Sequence, residues 1–181
     1  MNPVLPRLIG KVVSSPLALA IIKSYAFDRP KGHLYDDNGT LYMGRWRIID
    51  PDTWQSRLLF KLTGYTHIRL HWIKRRDHDR DLHNHPFPYR TFILAGWYTE
   101  EYRYGMSTGP YTPYGDATHV KGDTTTGAFG YFHRISRVPD DGVWTLFCMN
   151  GDSGKWGFDV DGRFVESREY FETYGVSDGK A

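Results

Sequence analysis

The chain has a single cysteine, Cys148, among 181 residues, which excludes an intramolecular disulfide and any thiolate zinc cluster. The fold must then rest on packing, and any metal site on His, Asp or Glu. The formal net charge is only +2, from 23 basic and 21 acidic side chains, so the chain lacks the one-signed field of an obligate nucleic-acid or anionic-membrane binder. Long apolar runs are missing as well. The best candidate, Val12 to Ile22, is about half of the roughly 20 residues that a membrane span needs, and Ser14, Ser15 and Pro16 interrupt it. It follows Arg7 and Lys11 as a signal-peptide core follows its basic start, but Lys23 comes directly after it and Ser24-Tyr25-Ala26 makes a poor cleavage site. The reading is a cytoplasmic protein with a helix capped by Ser15, Pro16 at its first position, and Leu17, Ala20 and Ile21 packed onto the domain. The chain also has no phosphate loop, dinucleotide fingerprint, helical zinc-protease signature or Gly-x-Ser-x-Gly elbow.

What is present points to strands. The chain is 40% apolar and 16% aromatic, with 19 Gly and 10 Pro, a composition that favours short strands joined by punctuated turns. His33 to Met43, with Asn38-Gly39 at its turn, reads as a hairpin, and so does Trp156 to Val165 around Asp161-Gly162. Asp50-Pro51 opens a helix with Trp54, Leu58, Leu59 and Leu62 on one buried face and Gly64 as its stop. Segments 68–73, 92–95, 97–104 and 143–148 read as further strands, and 168–174 as a short closing helix before a frayed 177–181.

The densest patch of possible ligands is Asp77 to Pro86. In a strand, His83 and His85 point to the same side, so two imidazoles can address one point. Residues 68–156 resemble the cupin superfamily, whose first motif is G-x5-H-x-H-x3,4-E-x6-G and whose second is G-x5-P-x-G-x2-H-x3-N. His83, His85 and Gly96 match the first motif, and Gly122, Gly130 and His133 match the second. Asp77, Ala128 and Arg137 depart from it, and the acidic ligand's position falls on Tyr89, or on Arg90 with the longer gap. Arg90 stays protonated and cannot ligate, while Tyr89 ligates only as a phenolate. Stretches of the chain are also similar to uncharacterised small cupins of bacteria and phages.

The resemblance implies an all-β jelly-roll (double-stranded β-helix) barrel, residues 27–181, with a helical extension over residues 1–26. It implies one divalent transition metal on His83, His85 and His133, with Fe2+ foremost and Zn2+, Mn2+ or Ni2+ as alternatives. It also implies a homodimer. Three imidazoles leave coordination positions open for substrate or oxygen. The function classes that follow are an iron-dependent dioxygenase, a sugar isomerase or epimerase, and a non-catalytic metal or ligand module. Tyr89 and Tyr98 are the candidate catalytic groups, with Tyr131 and Glu100 as further acid-base candidates. Asp79 and Asp81 are candidates for orienting the imidazoles. Aromatic residues Tyr89, Trp97, Tyr98 and Phe132 beside Arg75, Arg76, Arg80, Arg90 and Arg134 point to a small anionic ligand, with Arg90 and Arg134 binding it. No nucleic-acid or membrane partner is expected.

Overall fold

A computed structural model describes residues 4–36, 38–105, 114–151 and 154–174. The order is α1 (Val4–Val13), α2 (Pro16–Ala26), β1 (Leu34–Tyr35), β2 (Leu41–Ile49), α3 (Trp54–Thr63), β3 (His67–Ile73), β4 (Leu82–His83), β5 (Tyr89–Ala95) and β6 (Trp97–Tyr104). β7 (Tyr114–Val120), β8 (Thr124–Gly127), β9 (Tyr131–Arg137), β10 (Val143–Met149), β11 (Gly157–Val160), β12 (Arg163–Glu166) and α4 (Ser167–Tyr174) follow. The frayed terminus expected at 177–181 lies outside the described residues.

The strands form two six-stranded antiparallel sheets, β1-β2-β3-β10-β5-β8 and β12-β11-β4-β9-β6-β7. Their interleaved order fits a jelly-roll sandwich. The jelly-roll expectation holds as a two-sheet sandwich; among the described residues no strand pairing joins the two sheets into a closed ring. Apolar alternation builds its interior. Ile73, Ile93, Tyr98, Ile135 and Val143 meet between the sheets, and Tyr89, Tyr131, Phe147 and Met149 form a second inner cluster. Fully buried Ile93 and Val143 each contribute about 1.5–3 kcal/mol relative to exposure. The outer face of the first sheet carries Leu70, Phe92, Leu94, Leu146 and Cys148, covered by Ala26, Leu19 and Ile22 of α2.

The expected turns form. Asp36 Oδ1 accepts from the amides of Asn38 and Thr40, and Gly39 takes φ +76°. Asp161 and Gly162, both at positive φ, turn β11 into β12. β5 reaches β6 through Gly96 alone, at φ +80°, where a Cβ would stand 2.7 Å from the Gly142 carbonyl oxygen.

The helices differ from expectation in which face they bury. Ser15 caps α2 and Pro16 opens it, as read, but Leu17 is 72% and Ile21 61% exposed, and Ala20 is exposed too. α3 starts later, with Thr53 as its cap and Gly64 as its stop. Its Trp54, Leu58 and Leu62 are 65%, 50% and 74% exposed, because α3 bridges β2 and β3 and Ser56 is its buried residue. No single helix among the described residues is long and apolar enough to cross a membrane; α1 and α2 pass only as a pair, bent by 74°.

Candidate metal centre

Two strands and one loop bring the histidines together. β4 is only two residues long, so His83 lies in it and His85 just beyond, rather than both in one strand. Antiparallel pairing of β4 with β9 sets His83 directly opposite His133. One nitrogen from each of His83, His85 and His133 lies within 4.8 Å of the others. His85 Nε2 and His133 Nε2 are 3.1 Å apart, about the separation of two nitrogens that share a cation at roughly 2.1 Å each. His83 Nδ1 is buried without a hydrogen-bond partner. A donor set of three imidazoles, two of them nitrogen to nitrogen, fits a borderline transition metal better than Mg2+ or Ca2+.

Glu100 anchors this arrangement. It is 1% exposed, and its Oε2 accepts from His133 Nδ1 at 2.7 Å. Its Oε1 accepts from His119 Nε2 at 2.8 Å and from the Tyr131 hydroxyl at 2.8 Å. Burial alone would raise its pKa, but the hydrogen bonds from His119 and His133 hold the carboxyl well below the usual carboxylate range. An ionised Glu100 can only accept, so His133 carries its proton on Nδ1 and turns the Nε2 lone pair toward His83 and His85. Asp81, expected in this orienting role, instead accepts from Tyr170 and Arg80. Asp79 lies on the outer side, where its carbonyl accepts from Arg134. Alternation within β6 distinguishes Glu100 from Glu101: Tyr98 and Glu100 are buried on the inner face, and Glu101 pairs outside with Arg134.

Tyr89 is beside the centre, with its hydroxyl 3.3 Å from His133 Nε2 and its ring stacked on Phe147 at 5.0 Å. Gly127, opposite it across β5 and β8, makes room for that ring: a Cβ there would fall 2.1 Å from it. Burial, reinforced by the Glu100 charge, raises the Tyr89 pKa well above 10, so the hydroxyl keeps its proton. Tyr98 is one step removed, packed against His119 at 5.1 Å and likewise held protonated by burial.

The two arginines expected to bind a ligand lie on outer faces. Arg90 follows Tyr89 in β5 and so points away from it, donating to Thr124. Arg134 follows His133 in β9 and bonds Glu101 and the backbone of Asp79 and Arg80. Arg134 lines an outer groove of about 770 Å³ with Arg76, Arg80, Glu101 and Asp116. Trp97 is 37% exposed, and Phe132 packs on Phe164, so neither faces the histidines. Cys148 is buried, its thiol pushed up to about 12, which suits an inert core residue.

Burial lowers the pKa of His83 to about 3, aided by His133, and holds His85 well below 6.5. Burial followed by the charges of Arg45 and Arg69 lowers His71 to about 3. In the unfolded chain these rings titrate near 6.5, so between about pH 6.5 and 3 the unfolded state binds more protons. Metal-free protein is therefore expected to lose stability as pH falls through that window, by up to about 1.4 kcal/mol per pH unit for each ring kept neutral. Urea midpoints in a chelator from pH 8 to 4 check this; a flat profile below pH 6.5 would contradict neutral buried rings.

No protein-family model matches the chain, and no curated protein matches it. Solved structures do, at low identity. A deletion mutant of Bacillus subtilis oxalate decarboxylase is 13% identical over 83% of this chain and 38% of that one, with a TM-score of 0.49. Oxalate decarboxylase from Bacillus subtilis at pH 4.6 is 14% identical over 80% and 33%, with a TM-score of 0.47. The capsular polysaccharide assembling protein CapF from Staphylococcus aureus is 12% identical over 60% and 28%, with a TM-score of 0.43. The present chain thus aligns with at most 38% of the length of these three proteins, and the solved structures that it is similar to are cupin-fold proteins.

Proposed function

We propose that this protein is a metal-dependent enzyme of a small anionic molecule, an iron-dependent oxygenase by preference. The observation that carries the reading is the convergence of His83, His85 and His133 on one point, with Glu100 setting the His133 tautomer. A divalent metal held there supplies a Lewis acid and, if it is iron, one-electron chemistry toward dioxygen. The remaining chemistry belongs to the chain. The three neutral imidazoles hold the metal through nitrogen and leave positions open for a substrate. Tyr89 holds a proton on its hydroxyl oxygen beside His133, placed to donate it to a substrate oxygen. Phe87 and Phe147, against His85 at 5.7 and 5.8 Å, keep one side of the centre dry.

The test is oxygen uptake by tag-free, ferrous-loaded protein across a panel of small organic acids, with His133→Ala as the control. Uptake dependent on both an acid and His133 supports the reading. Elemental analysis that finds no transition metal bound to the purified or reconstituted protein overturns it. Solvent deuterium exchange into a sugar, without oxygen uptake, would replace the oxygenase with an isomerase.

A further inference from the structure

α1 and α2 lie on the outer face of the first sheet, and each turns a second apolar row to solvent. α1 rests on β5 and β8, with Pro6 and Gly10 buried and Val13 packed on the outer core. A Cβ at Gly10 would stand 2.5 Å from the Gly122 carbonyl oxygen, so the helix backbone is seated directly on the turn before β8. α2 rests on β2 and β3 through Leu19, Ile22 and Ala26. Residues four apart on a helix lie one above the other. Val4, Leu8 and Val12 form such a row on α1, and Leu17, Ile21 and Tyr25 form another on α2, away from the residues that touch the sheet. All six are more than half exposed. Single exposed apolar residues are common, but two rows on adjoining helices make a contiguous patch of the kind that marks an interaction surface.

The charges around the patch indicate what covers it. The first 27 residues contain Arg7, Lys11 and Lys23 and no Asp or Glu; all 21 acidic side chains come later. A net charge of +2 averages over this segregation. By helical spacing, Arg7 and Lys11 flank the α1 row, and both are exposed. Lys23 packs over the Trp144 ring at 3.7 Å and belongs to the contact with the sheet. An apolar row edged by exposed cations suits a helix lying in a membrane interface, where the apolar side chains enter the acyl boundary and the cations reach the headgroups. A second copy docked about a twofold axis would instead set these cations near their own counterparts, with no carboxylate from either helix.

We propose that the α1–α2 face docks the protein on an anionic phospholipid surface, lying along the bilayer and not crossing it. The 74° bend between the helices fits this, since it lays both along the sheet, and neither is long enough to span alone. The expectation of no membrane partner, drawn from net charge and the length of the apolar run, gives way to this reading. Tyr89 and Phe147, beside the histidines, belong to the inner cluster, whereas α2 packs on the outer one. Docking therefore does not engage the metal centre.

The experiment mixes full-length protein with phosphatidylcholine vesicles, with and without phosphatidylserine, and reads the bound fraction by flotation. Binding is expected with phosphatidylserine and should weaken as sodium chloride screens the charges. Each cation near such a surface is worth about fivefold in affinity, so Arg7→Gln combined with Lys11→Gln should bind about 25-fold more weakly. Leu8→Gln and Ile21→Gln should each lose about tenfold. All four positions are exposed, so circular dichroism and the unfolding midpoint should match wild type. Absence of binding to either vesicle, equal binding with and without phosphatidylserine, or wild-type affinity in these variants overturns the proposal. A dimer in solution that Ile21→Gln dissociates and vesicles do not displace overturns it too, because a second copy then covers the face. Bound protein that an alkaline wash fails to release would be inserted across the bilayer, which likewise overturns surface docking.

Discussion

His133→Ala is expected to reduce bound transition metal from about one ion per chain to none. Of the three candidate ligands, His133 alone has both ring nitrogens assigned: Nδ1 faces Glu100 at 2.7 Å and Nε2 faces His85 at 3.1 Å. Removing the ring leaves His83 and His85, and two neutral imidazoles without a carboxylate do not hold a divalent ion against a chelator. It also leaves Glu100 with a buried charge that has lost one of three donors, so the variant should be destabilised by about 1–3 kcal/mol. Elemental analysis of dialysed, tag-free protein reads the first effect and denaturant unfolding reads the second. Undiminished metal content in a folded variant would remove His133 from the centre.

Glu100→Gln is expected to leave all three ligands in place and still weaken metal binding by about 10–100-fold, the usual effect of losing a partner that orients a ligand. The amide has one accepting oxygen. If that oxygen keeps the His119 and Tyr131 bonds at the Oε1 position, its NH2 group faces His133 Nδ1. His133 must then accept at Nδ1, which moves its own proton to Nε2 and blocks the lone pair that a metal needs. The nitrogen-15 shifts of the His133 ring report this tautomer change directly, and a purely structural role for Glu100 would not produce it. Glu100→Ala should cost about 1–3 kcal/mol for each buried donor it leaves without an acceptor, namely His133 Nδ1, His119 Nε2 and the Tyr131 hydroxyl. Wild-type metal affinity in Glu100→Gln would show that the carboxylate does not set the tautomer.

His83 and His85 are legible in the sequence as a local pair, and the resemblance to the two motifs is what joins His133 to them. The hairpin turns are equally local: Asn38-Gly39 and Asp161-Gly162 need positive φ, and those residue types supply it. Alternation in β6 could also have singled out Glu100, which shares its register with Tyr98 rather than with Glu101.

Which face of each element meets the core was decided only in three dimensions. The apolar stripes of α2 and α3 predict burial of Leu17, Ile21, Trp54, Leu58 and Leu62, but all five are exposed. Arg90 and Arg134 are neighbours of site residues in sequence, and for that reason they point away from the site: adjacent residues in a strand face opposite sides. Arg45 lies outside the motif region and comes opposite His71 only through the register of β2 on β3. Composition and local spacing pointed to the turns and the strand-rich class, and the motif resemblance pointed to the three histidines that the fold brings together. Long-range strand pairing decided which charges share the interior with those ligands, because a sheet joins residues by register and not by their distance along the chain.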